Sequence, residues 1–210
     1  MLLIATTNLG KLREFRTLID PGVDLRSLEG LAVPVVEESA DSFVGNARLK
    51  AEGYAKATGL WTLADDSGLE VKALGGKPGV HSARFAEIHD RGTGDAANIN
   101  LLLEMMRDVP DADRRGRFVC VLALASPQGS TVLVARGEVE GLITRHPVGG
   151  QGFGYDPIFF HERLGKTFGQ LSPQEKEKVS HRASAAARLK EAVASLGGWG
   201  RVLNPVPGRV

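Results

Sequence analysis

Two periods alternate along this chain. Continuous apolar runs of strand length occupy residues 1–5, 117–125 and 131–137, and between them apolar residues recur every three or four positions, as on one helix face. The run at 1–5 does not alternate with polar residues, so it predicts a strand covered on both faces. Residues 11–19 follow as a helix with Leu12, Phe15, Leu18 and Ile19 on one side. A second strand is expected at 24–28. A helix at 43–58 carries Ala47, Ala51, Tyr54, Ala55 and Thr58, with Ser42 at its start and Gly59 at its end. Residues 95–106 predict a further helix through Ile99, Leu102, Leu103 and Met106, and 107–116 a charged surface link. The runs at 117–125 and 131–137 pair across Pro127-Gln128-Gly129, residues 141–144 extend that sheet, and 158–160 adds a short strand. Ser172 and Glu175 spell a capping box, with Pro173 in the first turn. A last helix is expected over 182–196, packing Ala186, Leu189, Val193 and Leu196 and ending at Gly197-Gly198.

This order of elements predicts an α/β fold, a mixed sheet flanked by helices. No repeat and no biased linker divides the chain. Residues 1–198 are therefore expected to form one domain, and 199–210, with little periodic apolar pattern, a weakly ordered tail.

Composition narrows the classes of function. The 26 basic and 25 acidic residues nearly cancel over 210 positions, so no global field argues for a nucleic-acid partner. The single cysteine, Cys120, lies inside an apolar run, which excludes a disulfide framework and suggests a buried thiol in a reducing compartment. The apolar start turns polar after Ala5, too soon for a signal peptide or a membrane span, so a cytoplasmic protein with no membrane contact is expected.

Four stretches carry candidate chemistry. Residues 64–84 bring Asp65, Asp66, Ser67 and several glycines together behind the apolar run 60–63. Carboxylates at a strand end suit a hard cation such as Mg²⁺, although by itself the stretch favours a polar turn with Asp66 and Ser67 capping and Gly68 permitting the bend. Thr6, Thr7 and Asn8 join the first strand to a helix start, a corner that can cradle phosphate through free amides while Lys11 adds charge; they are also ordinary helix starters. Residues 149–160 set Phe153 and Tyr155, expected to be exposed, among four glycines. An aromatic held so can stack on a nucleobase and Asp156 can accept from its N–H groups, or the loop is simply pinned by two core aromatics. Lys176, His181 and Arg182 form a cation cluster suited to an anion or a base edge.

Together these segments resemble the Ham1/RdgB family of inosine/xanthosine triphosphate pyrophosphatases over nearly all of residues 2–196. The resemblance is carried by ATTNLGK at 5–11, SFVGNARLKA at 42–51, DDSGLEVKALGGKPGVHSAR at 65–84, GFGYDPIF at 152–159 and SHR at 180–182. It implies an elongated mixed sheet flanked by helices, two lobes with a central cleft, a homodimer, and Mg²⁺-dependent hydrolysis of ITP, dITP or XTP to the monophosphate and pyrophosphate. It also implies roles. Thr6, Thr7, Asn8 and Lys11 would hold phosphates, Glu38 and Asp66 the metal, and Asp66, with Asp65 beside it, would activate water. Phe153 would stack on the purine, while Asp156, Lys176, His181 and Arg182 would read its edge. Ser67, Gly68, Arg84, Gly154 and Tyr155 match positions that line the family's site.

Three residues depart from the family pattern: Thr7 where glycine is common, Gly45 where Glu is common, and His81 where Tyr is frequent. The Gly45 change removes either a metal-shell carboxylate or only half of a helix cap, and Ser42 at the matching position favours the cap. Two rivals stand beside this expectation: a related Maf-type pyrophosphatase acting on modified pyrimidines, and a nucleotide-binding module without turnover. Preference for pyrimidines, or tight binding without hydrolysis, separates them.

Overall fold

The computed structural model describes residues 1–204. Among these, seven strands form one sheet in the order β2-β1-β3-β4-β5-β6-β7. The strands are β1 (Leu2–Ile4), β2 (Leu25–Ser27), β3 (Trp61–Val71), β4 (Arg115–Ala125), β5 (Thr131–Ile143), β6 (Phe159–His161) and β7 (Lys166–Thr167). β1 pairs in parallel with both β2 and β3, while β6 runs antiparallel to β5 and β7, so the sheet is mixed as expected. Its helices are α1 (Leu9–Leu18), α2 (Phe43–Thr58), α3 (Gly94–Met105), α4 (Pro173–Lys176), α5 (His181–Ser195) and α6 (Trp199–Leu203).

Contacts within the chain gather into two units. The first holds Met1–Asp66, Cys120–Gly137 and the chain from Arg182 onward. Its core joins Leu2 and Ile4 of β1, Phe15 of α1, Leu122 of β4, and Leu189 and Val193 of α5, all 7% exposed or less. The Cys120 thiol is buried among them, and its pKa is pushed up first by that burial. The second unit holds Ser67–Val119 and Glu138–His181. Its core is more aromatic: Phe85, Phe118, Phe159 and Phe168 pack with Leu69, Leu102 and Met106.

Several expectations are corrected. Residues 64–71 are no turn. β3 runs straight through Asp65, Asp66, Ser67 and Gly68 and gives way only at Lys72–Leu74, a 3-10 turn followed by another over Gly79–Arg84. Asp and Gly are poor strand formers, but local preference yields where buried partners meet the side chains. The two runs predicted at 131–137 and 141–144 are one strand. Arg114, expected on a surface link, is 3% exposed and donates to the carbonyls of Met106, Ile143 and Thr144. A guanidinium with several fixed donors closes chain ends in a way no apolar residue can. Leu196 lies past the end of α5 and is 48% exposed. The stretch predicted as a weak tail begins with α6, which packs Trp199, Val202 and Leu203 on the first core; residues 205–210 of that prediction lie outside the described residues.

Candidate functional site

In the first unit the site is built on β3. Successive strand residues face opposite ways, so the adjacent acids are split between two environments. Asp65 meets Lys11 of α1, Nζ to Oδ2 2.8 Å, and Arg182 of α5, Nε to Oδ2 4.0 Å. Asp66 meets α2: Asn46 Nδ2 donates to Oδ2 at 3.2 Å, and Lys50 Nζ lies 3.6 Å from Oδ1. Lys50 also donates to Glu38 Oε1 at 3.0 Å, so one ammonium serves both predicted metal carboxylates.

The pKa values of the two acids are shifted in opposite directions. Burial raises both carboxyls. For Asp65 that is outweighed by Lys11, Arg182 and Lys50, which hold it at about 2. For Asp66 burial prevails, with Glu38 and Asp65 adding to it against Lys50 and Lys11, and the carboxyl is raised to about 6. Burial opposes the charge on Lys50, but Asp65, Asp66 and Glu38 outweigh it and raise its pKa. The donor set fits a Mg²⁺ ion, which needs only one or two protein carboxylates because water and phosphate complete its shell. Among the described residues no group of three or more His, Cys, Asp or Glu side chains gathers into a closed metal cage.

Lys50 and Asn46 were not found from sequence. Their one signal is spacing: they stand four apart, on the same helix face as Tyr54, where an ammonium and an amide reach one target. Nothing local marks that face as buried.

The corner before α1 differs from the expected cradle. The Asn8 side chain accepts from the amides of Gly10 and Lys11 at 2.9 and 3.1 Å, and the Asn8 backbone N–H donates to Thr6 Oγ1 at 3.2 Å. Asn8 thus caps the helix with amides a phosphate would have used. Thr7 is exposed beside it, and Lys11 turns its charge to Asp65.

In the second unit, Asp156 and Lys176 form a buried pair, Nζ to Oδ2 2.6 Å, and Lys176 Nζ also stands 4.7 Å from the centre of the half-buried Phe153 ring. The Phe153 amide donates to Asp156 Oδ2 at 2.9 Å and the Gly154 amide to Asp95 at 2.6 Å. Gly152 has a φ of 79°, and a Cβ there would run into the Asp156 carboxylate, so only glycine lets the loop close on the acid. α4 delivers Lys176 through the predicted capping box of Ser172 and Glu175. His181 is buried and stacks on Phe118, ring centres 4.7 Å apart.

Tyr155 is not exposed. It is 3% accessible, and its hydroxyl donates to the Ser82 carbonyl at 2.9 Å, which makes it a core residue with a satisfied polar tip. Gly68 touches the Gly79 carbonyl and Ser82 so closely that a Cβ would collide with both. Ser67 is half-buried, and Arg84 ends the 3-10 turn Gly79–Arg84 in an exposed position. Arg182, grouped in sequence with His181, makes its ion pairs with Asp65 and, at 3.0 Å, Glu14. A hollow of about 330 Å³ on the second unit contains none of the predicted site residues. Its lining includes Glu70 and Arg117, paired with each other at 2.6 Å.

Residues 2–192 match the model of the Ham1 family. The chain belongs to the Ham1 family. The dITP/XTP pyrophosphatase of Shigella flexneri is 46% identical over 192 residues, 90% of this chain and 96% of that protein. The dITP/XTP pyrophosphatase of Pseudomonas aeruginosa is 46% identical over 191 residues, 90% and 95% of the two chains. The solved structure of a HAM1 protein from Coxiella burnetii superposes with a TM-score of 0.82 at 38% identity, over 92% of this chain and 98% of that one. This Ham1 chain has, among its described residues, no helix long and apolar enough to cross a membrane.

Proposed function

We propose that this protein hydrolyses noncanonical purine nucleoside triphosphates, dITP, ITP and XTP, to the monophosphate and pyrophosphate, with Mg²⁺ as cofactor. The observation that carries the proposal is the division of the adjacent acids: an Asp65 charged at neutral pH and braced by Lys11 and Arg182, and an Asp66 that in the metal-free protein is raised to about 6 beside Glu38 and Lys50. An acid poised near neutrality suits a general base.

In this mechanism Glu38 and Asp66 would hold the ion. When bound, Mg²⁺ offsets phosphate charge and polarises a phosphoryl oxygen. Asp66 takes a proton from the attacking water, whose oxygen bonds to the α-phosphorus while pyrophosphate leaves. Lys11 and Lys50 offset the charge of the triphosphate, and the hydroxyls of Thr6 and Thr7 supply donors, since the neighbouring amides serve Asn8. Asp65 keeps Lys11 in place, and the partners of Arg182 support a bracing role for it as well.

The base falls to Phe153 and the residues around it. Phe153 stacks on the purine, with Gly154 leaving its face open, and Asp156, Lys176 and His181 meet its edge. Hypoxanthine and xanthine present O6 as acceptor and N1–H as donor, which an ammonium and a carboxylate complement; adenine reverses both groups. Ser67, Gly68 and Arg84 serve as lining residues. The working form is expected to be a cytoplasmic homodimer, which light scattering in solution checks.

The test is product analysis over ITP, dITP, XTP, ATP and GTP, with and without Mg²⁺. Pyrophosphate and monophosphate from the deaminated purines, lost on chelation, are expected. Equal turnover of ATP, GTP and ITP, or orthophosphate alone, overturns the proposal.

A further inference from the structure

Residues 36–40 belong to no strand, yet their burial alternates: Val36, Glu38 and Ala40 are half-buried while Glu37 and Ser39 are exposed. That is the period of an extended strand with one face covered. What covers it is α2. The Ala40 amide donates to Asn46 Oδ1 at 2.9 Å, Glu38 accepts from Lys50 at 3.0 Å, and the Val36 amide donates to the Tyr54 hydroxyl at 3.4 Å. The partners advance along the helix as the strap recedes, so the two run antiparallel in a fixed register. The lengths agree: four extended steps cover about 13 Å, and eight helical steps about 12 Å.

Beside these bonds stand two glycines of α2, Gly45 in its first turn and Gly53 in its interior, where glycine is normally a poor choice. Neither has a positive φ. Each is required by contact. A Cβ on Gly45 would lie 2.5 Å from the Ala40 Cβ, which cannot move without the backbone, and one on Gly53 would lie 2.7 Å from Cγ2 of the stiff Val36. Ser42 Oγ still accepts the Gly45 amide at 3.2 Å, so the cap is made, and what the missing side chain leaves room for is the strap.

We propose that Gly45 and Gly53 are positioning residues: they form a two-point seat that presses the strap 36–40 onto α2 and thereby sets Glu38 beside Asp66 for the metal. The register explains why the seat matters. Glu38 lies midway between the two contacts, and no strand ladder holds it. Asn46 ties the seat to the opposite acid, because its carboxamide accepts from Ala40 through Oδ1 and donates to Asp66 through Nδ2. A Cβ at either end lifts the strap and moves the carboxylate from its partner. This rests on the hydrolase reading for the purpose of the seat, but not for its existence.

The experiment uses the full chain with Gly45→Ala, Gly53→Ala, and the pair Gly45→Ala with Ala40→Gly, which removes the colliding methyl. Amide exchange at Ala40 reads the seat, and Mn²⁺ titration of the nucleotide-free protein by electron paramagnetic resonance reads the metal site, with Glu38→Gln as reference. Both single variants should weaken Mn²⁺ binding by roughly tenfold to a hundredfold, the usual cost of losing an outer support of a metal site, and Gly45→Ala should speed exchange at Ala40. The paired variant should restore both. A purely helical role for Gly45 predicts the reverse, a more stable helix with unchanged exchange and affinity, and overturns the seat. Faster exchange with unchanged Mn²⁺ affinity overturns its link to Glu38. Absence of ITP turnover in the wild type, with the exchange and Mn²⁺ results as expected, overturns the substrate assignment alone.

Discussion

The acid cluster of the first unit and the Asp156–Lys176 pair of the second both bury charge, but they are built from different materials. Asp65, Asp66, Lys11 and Lys50 stand on a long strand and two helices of 10 and 16 residues, so their geometry is set by backbone ladders. Asp156 and Lys176 stand on a 3-10 turn and a four-residue helix, and they are held by glycine contacts and by each other. The first arrangement holds an imbalance: burial, with Glu38 and Asp65 beside it, keeps the Asp66 carboxyl raised against Lys50 and Lys11. The second has no such frame, and there a matched pair is the frame.

Four substitutions test that contrast, and the first should have the largest effect. Asp66→Asn removes the group poised to take a proton, so kcat for ITP should fall roughly 10²–10⁴-fold with nucleotide binding kept; steady-state kinetics and a binding titration check both halves. A near-normal rate would remove Asp66 from the chemistry. Lys176→Met takes the ammonium from a buried carboxylate and should destabilise the fold by about 3–5 kcal/mol, as breaking one side of a buried pair does. Urea unfolding measures it, and a change below about 1 kcal/mol would show that Asp156 does not depend on that pair. Phe153→Ala should raise KM by the worth of one base stack, ~1–3 kcal/mol, with kcat less affected. Unchanged kinetics would make Phe153 a packing residue.

The smallest effects are pH slopes of stability in the metal-free protein. Asp65, held at about 2, stabilises the fold above the ordinary carboxyl range of ~4 and loses that contribution as pH falls toward 2. Asp66, raised to about 6, does the opposite: its ionisation costs stability as pH rises from ~4 through 6. Asp65→Asn should therefore flatten the acid limb of the unfolding curve, whereas Asp66→Asn should raise Tm at neutral pH. Tm values from pH 2 to 8 decide it, and slopes of the same sign for the two variants would contradict the split between strand faces.

Much of the candidate site was legible in the sequence because its residues cluster within short motifs. Asp65 and Asp66 are adjacent, Phe153 and Asp156 lie three apart, and the capping box announced the helix that carries Lys176. Lys50 and Asn46 were missed because a polar residue on an amphipathic helix looks solvated until something covers it. What covers them is a strap with no strand or helix pattern of its own. Tyr155 was misplaced for the converse reason: flanking glycines suggested exposure, whereas its ring is buried and its hydroxyl meets Ser82, 73 positions away in sequence.

By itself the sequence determined the elements with strong periodicity, the buried strand at β1, the helices α1, α2 and α3, the chain-reversing turn before β5, and through its motifs the family. Tertiary structure alone decided that β3 runs through two aspartates and a glycine, that Arg114 is an interior clamp, and that two acids side by side are shifted in opposite directions. Periodicity records which way a side chain points relative to its neighbours in sequence. The free energy of a buried charge depends on what lies opposite it, and that is settled only when distant segments meet.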